Sequence, residues 1–252
     1  MTELKIHDNR KLLREVFEKA EILLSSTEEE QFLRYFERLT ETNRVMNLTA
    51  ITEPKEVFEK HFLDSVMLWG LAKKYDFAPL PGSPAVIDVG TGAGFPGVPL
   101  KILRPEIELT LLDALQKRIG FLKELAETLD LKGVALVHSR SEDAARPGSD
   151  SLRERFDLAV SRAVSSLNIL SEYCLPFVKV GGLFAAYKSA NCTEEIDAAA
   201  HAIEVLGGRL EQVLSYSLPG TEIDRSLVLI RKVAPTPPNY PRKAGKPEKK
   251  PL

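Results

Sequence analysis

The sequence predicts an α/β fold in which a mostly parallel sheet of seven strands follows an N-terminal helical extension. Short apolar runs alternate with helically spaced segments after residue 84, and a glycine-rich run follows the first of them, whereas only helical spacing precedes residue 79. Alternating strands and helices imply right-handed crossovers, and therefore a parallel sheet covered by helices on both faces.

Residues 1–78 form the predicted helical extension. From Asn9 to Leu24, apolar residues recur at three- and four-residue steps, which is typical of an amphipathic helix. Thr27 and Glu30 have the spacing of a capping box and predict the start of a second helix. A third helical region follows Pro54 and runs to Lys74, with a break expected near His61.

The sheet domain is predicted to span residues 79–233. Three prolines and a glycine within residues 79–84 stop helices and mark a connection, so the boundary is placed there. Strands are expected at 85–88, 108–112, 134–138, 156–161 and 182–187, with a closing hairpin at 209–215 and 226–232. Residues 234–252 hold six prolines and five Lys or Arg against one Glu, a composition that predicts a basic, disordered tail.

The overall composition is that of an ordinary globular protein. The chain has 252 residues, 44% hydrophobic and 28% charged, and its net charge of −2 gives no global nucleic-acid signature. No stretch reaches the about 20 apolar residues that cross a bilayer, and the first residues lack a signal-peptide core. Two cysteines and four dispersed histidines suggest neither a disulfide framework nor a metal site. We expect a cytoplasmic monomer with no membrane partner.

The run from Asp88 to Gly97 follows an apolar strand and opens a helically spaced segment, as a nucleotide cradle does. Glycines let the backbone approach a ligand, and free N–H groups at the helix start favour electron-rich oxygens. Gly92, Gly94 and Gly97 match the dinucleotide pattern G-x-G-x-x-G. Read from Asp88, the run gives acid-x-G-x-G-x-G through Gly90, which resembles the motif of S-adenosylmethionine-dependent methyltransferases. We favour this second register over the dinucleotide pattern and over a turn that binds nothing.

Two acids follow neighbouring predicted strands. The carboxylate of Asp88 is expected either to steady the glycine turn or to reach the amino acid end of the cofactor. Asp113, after the second strand, is placed to accept hydrogen bonds from ribose hydroxyls. A dinucleotide fold expects the same acid, so Asp113 indicates a nucleotide without choosing the cofactor.

Several further segments together resemble one family, the RsmG (GidB) methyltransferases. They are Asn43-Arg44-Val45-Met46-Asn47-Leu48-Thr49, His61-Phe62-Leu63-Asp64-Ser65, the glycine run through Pro99, Lys117-Arg118 and Ser161-Arg162-Ala163. The resemblance implies a class I, Rossmann-like methyltransferase fold. It also implies methyl transfer from S-adenosylmethionine, with S-adenosylhomocysteine as product, to a guanine N7 of bacterial 16S ribosomal RNA in the small ribosomal subunit.

The resemblance also implies site residues. Gly90 and Phe95 would contact the cofactor, Ser141 and Glu142 would hold the adenine, and Arg162 would bind the cofactor carboxylate or RNA. Candidates for RNA contact, each of which is alternatively a helix cap, a packing contact or solvated surface, are Asn47, Thr49, His61, Lys101, Arg118, Arg162 and Lys188.

Methylation of N7 needs no catalytic base, because neutral guanine carries a free lone pair there, and orientation supplies the rate. We therefore expect no catalytic residue of that kind. The sequence lacks the pattern of amino methylation after the fourth strand, which is an acid or Asn followed by Pro-Pro-aromatic; Ser161-Arg162-Ala163-Val164 stands there instead. Neither cysteine has the Pro-Cys or Thr-Cys context of carbon-5 methylation. The alternatives are a methyltransferase for another RNA base or a small molecule, a non-catalytic cofactor-sensing RNA-binding module and, third, a nicotinamide oxidoreductase.

Overall fold

The computed structural model describes residues 3–75 and 82–252, and its centre is a seven-stranded sheet in the order β3-β2-β1-β4-β5-β7-β6. The first five strands run parallel, and β7 and β6 add antiparallel at one edge, which confirms the predicted sheet. The strands are β1 (Ala85–Val89), β2 (Glu108–Asp113), β3 (Val134–His138), β4 (Phe156–Arg162), β5 (Val178–Ser189), β6 (Gly208–Ser217) and β7 (Asp224–Lys232).

Helices cover both faces of the sheet. Because side chains alternate along a strand, Val86 of β1 joins the core on one face while Ile87 and Val89 join the core on the other. The helices that follow the strands are α5 (Gly97–Leu103), α6 (Gln116–Thr128), α7 (Ser141–Ala144), α8 (Leu167–Cys174) and α9 (Thr193–Val205), with a 3-10 turn at Leu175–Phe177. The carboxyl ends of β1 to β4 consequently meet at one edge, where ligands bind in such folds.

The N-terminal helices are present, with shifted boundaries. They are α1 (Glu3–Glu18), α2 (Ser26–Met46), α3 (Pro54–Val57), a π-helix (Phe58–Leu63) and α4 (Asp64–Tyr75). The break expected near His61 is this π-helical turn. The first helix starts earlier and ends before Leu23, whose side chain is exposed. The predicted domain boundary between residues 78 and 79 lies outside the described residues.

The capping box of α2 is formed by other residues than those predicted. The Ser25 hydroxyl accepts from the backbone N–H of Glu28, and the Glu28 carboxylate accepts from the backbone N–H of Ser25. Thr27 and Glu30 have the same spacing, but the Glu30 carboxylate pairs with Arg10 and Arg34 instead. Spacing alone does not reveal this competition, because Arg10 lies on another helix.

Aromatic side chains join the helical extension to the glycine-rich loop. Phe95 of the loop packs against Tyr35 of α2, with ring centroids 5.2 Å apart, and against Phe62 of the π-helix at 6.0 Å. The Tyr35 hydroxyl donates to the carbonyl of Ala93 at 2.6 Å. The extension therefore packs directly against the glycine-rich loop and supports it.

The C-terminal segment, residues 234–252, corrects the prediction of a disordered tail. It folds back on the sheet domain and carries the short helix α10 (Lys246–Lys249). The Arg153 guanidinium donates to the carbonyls of Thr236, Pro237 and Tyr240. Arg242 pairs with the buried carboxylate of Glu172. Charged side chains of the domain hold this segment, so its low apolar content did not predict its order.

None of the helices among residues 3–75 and 82–252 combines the length and apolar character needed to cross a membrane.

Tyr35→Phe tests whether the hydroxyl on the glycine-rich loop stabilises the fold. The change leaves the Ala93 carbonyl without its buried donor, so the free energy of unfolding should fall by about 1–2 kcal/mol. Urea unfolding measures this, and Tyr75→Phe, at a half-exposed tyrosine, should have little effect. Equal stability of wild type and Tyr35→Phe would contradict the role given to this bond.

Candidate active site

The glycine-rich loop is held at both ends by Asp88, the penultimate residue of β1. Its Oδ2 accepts from the Thr91 hydroxyl at 2.7 Å and from the backbone N–H of Gly97 at 2.8 Å. Asp88 is fully buried, and its Oδ1 has no partner among the described residues. Burial raises the pKa of Asp88 to about 7, opposed by these hydrogen bonds. Asp88 was expected either to steady the glycine turn or to reach the cofactor, and these contacts match the first role.

Gly92 and Gly94 of the loop face different surroundings. Gly92 has φ of +60°, and a Cβ there would meet only the Gly90 carbonyl at 4.0 Å, so the backbone is open on that side. Gly94 has φ of +102°, and a Cβ there would lie 2.7 Å from the Tyr35 hydroxyl. Gly92 therefore leaves room for a ligand, whereas Gly94 lets α2 approach the loop.

A first cleft of about 340 Å³ opens beside the loop, at the ends of β1, β2 and β3. Its lining brings together four of the residues predicted to hold the cofactor: Gly90, Asp113, Ser141 and Glu142. Apolar side chains of Val89, Leu112, Leu115 and Val164 complete its walls. The remaining members of the predicted cofactor set do not line it: Asp88, Gly92, Gly94, Phe95 and Arg162. We call this cavity the cofactor cleft.

Asp113 links the cofactor cleft to the glycine-rich loop. One carboxylate oxygen accepts from the backbone N–H of Gly92 at 3.0 Å and lies 3.2 Å from the Arg118 guanidinium. The other accepts from the backbone N–H of Leu115. Arg118, predicted to contact RNA, thus lies in the wall of the cofactor cleft, paired with the acid predicted to hold a ribose.

Ser141 and Glu142 begin α7 at the β3 end of the cleft. The Ser141 hydroxyl donates to the carbonyl of Tyr173 at 2.5 Å. Glu142 is buried, and its carboxylate accepts from the backbone N–H of Gly245 in the C-terminal segment. Three further residues at this end were not among the predicted cofactor-binding residues: Arg140, Tyr173 and Glu248. The only sequence signal for Glu248 is that it is the one acid in a basic segment.

Arg162, at the end of β4, lies in a second cavity of about 450 Å³. Its guanidinium donates to Asp64 Oδ2 at 2.8 Å and lies 5.3 Å from the centre of the Phe95 ring. The two cavities share Ala163, the next residue. The second cavity, which we call the acceptor pocket, is lined by Ile51, Lys60, His61, Asp64, Arg162, Ala163, Tyr187, Lys188, Ser189, Glu195 and Arg225.

Four cations and two carboxylates line the acceptor pocket. The buried Asp64 carboxylate binds Arg162, and its second oxygen lies 3.4 Å from both Arg225 and the Tyr216 hydroxyl. Lys188 donates to the Ser165 carbonyl and pairs with Glu195. Lys60 pairs with Glu56, outside the pocket. The lining therefore carries an excess of positive charge.

His61 stacks on Phe95, with ring centroids 4.6 Å apart. Burial, and secondarily the charge of Arg162, lower the pKa of His61 to about 3. Its ring is therefore neutral near pH 7, and its Nε2 lies 2.8 Å from the Thr49 hydroxyl, within hydrogen-bond distance. The structure thus brings these two RNA candidates together, with His61 on the lining of the acceptor pocket.

Two other RNA candidates have structural roles. Asn47 is the left-handed C-cap of α2, with its N–H bonded to the Asn43 carbonyl. Lys101 is only 2% exposed, and its ammonium donates to the carbonyls of Pro105 and Ile107. The prediction that Lys101 contacts RNA is corrected, because its charge is enclosed by the chain's own carbonyls.

Comparison with known proteins places the chain in a family. The GidB family model, described as rRNA small subunit methyltransferase G, matches residues 28–228. The chain belongs to this family. Proteins named ribosomal RNA small subunit methyltransferase G are similar over nearly their whole length. That of Acetivibrio thermocellus is 47% identical, over 99% of this chain and 98% of the relative. That of Bacillus cytotoxicus is 50% identical, over 92% and 93%.

The fold also agrees with solved structures. A SAM-dependent methyltransferase from Aquifex aeolicus has a TM-score of 0.51 and 18% identity, over 73% of this chain and 96% of that one. The class I methyltransferase fold and the resemblance seen in the sequence are thus confirmed, and the cofactor of this GidB-family methyltransferase is S-adenosylmethionine.

The cofactor cleft fits that molecule. Gly90 of the glycine-rich loop lines the cleft beside β1, and the Asp113 carboxylate can accept from ribose hydroxyls. Apolar walls, including Leu115 and Val164, suit the faces of a purine. Among the described parts of the chain, no group of three His, Cys, Asp or Glu is arranged to hold a metal ion.

Gly92→Asp is expected to abolish binding of S-adenosylhomocysteine, measured by calorimetry. The new carboxylate would occupy the open side of the loop and lie near the Asp113 carboxylate, repelling it. Gly92→Asn is the matched control, since it has the same shape and tolerates positive φ without adding charge. It should lose less affinity. Wild-type affinity in Gly92→Asp would contradict the place given to the loop.

His61 is expected to make folding sensitive to acid. Between its unfolded pKa of about 6.5 and its folded pKa of about 3, the unfolded chain binds a proton that the folded chain does not. Stability therefore falls as pH drops, and from pH 7 to pH 5 this group alone accounts for about 2 kcal/mol.

Urea unfolding of wild type and His61→Gln at the two pH values checks this expectation. The wild type should lose more stability than His61→Gln, while His201→Gln, at an exposed histidine, should behave as the wild type does. Parallel losses in wild type and His61→Gln would contradict the lowered pKa.

Proposed function

We propose that this protein transfers the methyl group of S-adenosylmethionine to N7 of a guanine in 16S ribosomal RNA, acting on that RNA or on the small ribosomal subunit. The carrying observation is the pair of adjoining cavities, a nucleoside-sized cleft and a cationic pocket, which share Ala163 at the end of β4. The family's description supplies the class of RNA. N7 and 16S specificity come from the resemblance of the sequence motifs.

The acceptor pocket suits a base on a negatively charged strand. Lys60 and Arg225 lie on its lining and can pair with phosphates. Arg162 and Lys188 carry donors for the guanine O6, and Asp64 and Glu195 carry acceptors for its N–H groups. The neutral His61 ring, backed by Phe95, offers a flat aromatic surface for stacking.

The chain's titratable groups agree with a reaction that needs no base. S-adenosylmethionine supplies an electrophilic methyl group on a sulfonium. His61 is a poor base, because its pKa is lowered to about 3 and its Nε2 is engaged by Thr49. Asp88, whose pKa is raised to about 7, lines neither cavity. The protein's contribution is therefore to orient the base beside Ala163 and to exclude water.

Purified protein, labelled S-adenosylmethionine and small subunits from a strain lacking this modification provide the decisive experiment. Label should enter 16S ribosomal RNA as N7-methylguanine, identified by mass spectrometry of digested nucleosides, and Gly92→Asp should transfer none. Label in another nucleoside would refute the guanine N7 proposal, and binding without transfer would identify a cofactor-sensing module. Such a substrate would also place the working protein in the cytoplasm.

Arg225→Gln should weaken the use of RNA without affecting the cofactor. Its loss removes one cation of the acceptor pocket, so KM for small subunits should rise about 3- to 10-fold, and the salt slope of RNA binding should fall by about 1. Affinity for S-adenosylhomocysteine should stay unchanged. Lys132→Gln, an exposed lysine next to β3, is the charge-matched control and should resemble the wild type. An unchanged KM in Arg225→Gln would remove Arg225 from the RNA contacts.

A further inference from the structure

The C-terminal segment borders the cofactor cleft, although it lies beyond residues 28–228 that the family model matches. Its path is fixed by buried contacts. The Arg242 guanidinium pairs with Glu172, which is only 1% exposed, and donates to the carbonyl of Lys250 on the far side of α10. Pro247 of α10 is buried. These contacts set α10 in one position against α8.

Glu142, expected to accept from the adenine amine, is engaged by this segment. Its Oε1 accepts from the backbone N–H of Gly245 at 2.8 Å, and its Oε2 lies 3.6 Å from the Arg140 guanidinium. The residue is only 2% exposed. Glu142 therefore holds the segment in place and has little surface left for a ligand.

Glu248 presents a second carboxylate to the same end of the cleft. Its Oε1 accepts from the Tyr173 hydroxyl at 3.0 Å and lies 3.6 Å from the Arg140 guanidinium. Its Oε2 receives no hydrogen bond from the parts of the chain that the structure describes. The side chain is 57% exposed and lines the cofactor cleft. A carboxylate in this position can only accept, so it suits a ligand group that donates.

We propose that Glu248 is a cofactor-binding residue that accepts a hydrogen bond from the exocyclic amine of adenine. Asp113, bonded to Gly92, marks the ribose end of the cleft, whereas Glu248 contacts Arg140, two residues after β3. A nucleoside with its ribose at Asp113 therefore directs its base toward Glu248. The exocyclic amine is the N–H donor of adenine, and the C-terminal segment thus completes the cofactor site.

Calorimetric titration with S-adenosylhomocysteine tests this assignment on the full chain. Glu248→Gln should bind about 5- to 10-fold more weakly, since it loses the charged acceptor. Its stability without ligand should be unchanged, because the amide oxygen still accepts from Tyr173. Glu222→Gln, an exposed acid on the turn before β7, is the charge-matched control and should bind as the wild type does. Wild-type affinity in Glu248→Gln would overturn the proposal.

A second ligand identifies the group that Glu248 recognises. S-inosylhomocysteine carries an oxygen in place of the exocyclic amine, so the wild type should prefer S-adenosylhomocysteine by about 10-fold. Glu248→Gln should narrow that preference, because its amide can donate to the oxygen. An identical preference in both proteins would overturn the contact with the amine. These measurements use no RNA, so their failure is distinct from a failure of the proposed guanine substrate.

Discussion

The Asp88 carboxylate is the constraint on which the site depends. It bonds to Thr91 and to Gly97, so a single buried group fixes both the start and the end of the glycine-rich turn. Gly97 starts α5, and Phe95, two residues earlier, packs against Tyr35 of the N-terminal helix α2. The raised pKa of Asp88, about 7, reflects the cost of keeping this acid fully buried. The two hydrogen bonds that Asp88 accepts fix the position of the glycine-rich turn, although burying the carboxylate is unfavourable.

The Arg162–Asp64 pair joins the two halves of the acceptor pocket. Arg162 ends β4, and Asp64 begins α4 of the N-terminal extension, so the pair connects the sheet edge to the helices. Removing one partner of a buried pair leaves a charge without compensation and typically costs about 3–5 kcal/mol. The extension is therefore part of the site, because it contributes His61, Asp64 and the aromatic support of Phe95.

The sheet and the cofactor loop were predictable from sequence, because strand periodicity and glycine spacing are local signals. Asp88, Gly92 and Asp113 could be placed by their positions after predicted strands. The ion pairs could not be predicted from sequence, because partners such as Arg242 and Glu172 are 70 residues apart. Low apolar content predicted a disordered tail, yet charged contacts order it. The prediction that Lys101 contacts RNA was wrong because its ammonium donates to carbonyls of its own chain, a contact that the sequence does not reveal.

The order of elements along the chain affects how the protein matures. Residues 234–252 follow every strand in sequence. A ribosome therefore synthesises all seven strands before Glu248, which contacts Arg140 and Tyr173 at the cofactor cleft. During synthesis, domains fold as their residues emerge. The sheet can therefore form while the Arg140 end of the cleft is still open, and the cleft is completed when residues 234–252 emerge. The protein would then bind its cofactor fully only after the sheet has folded.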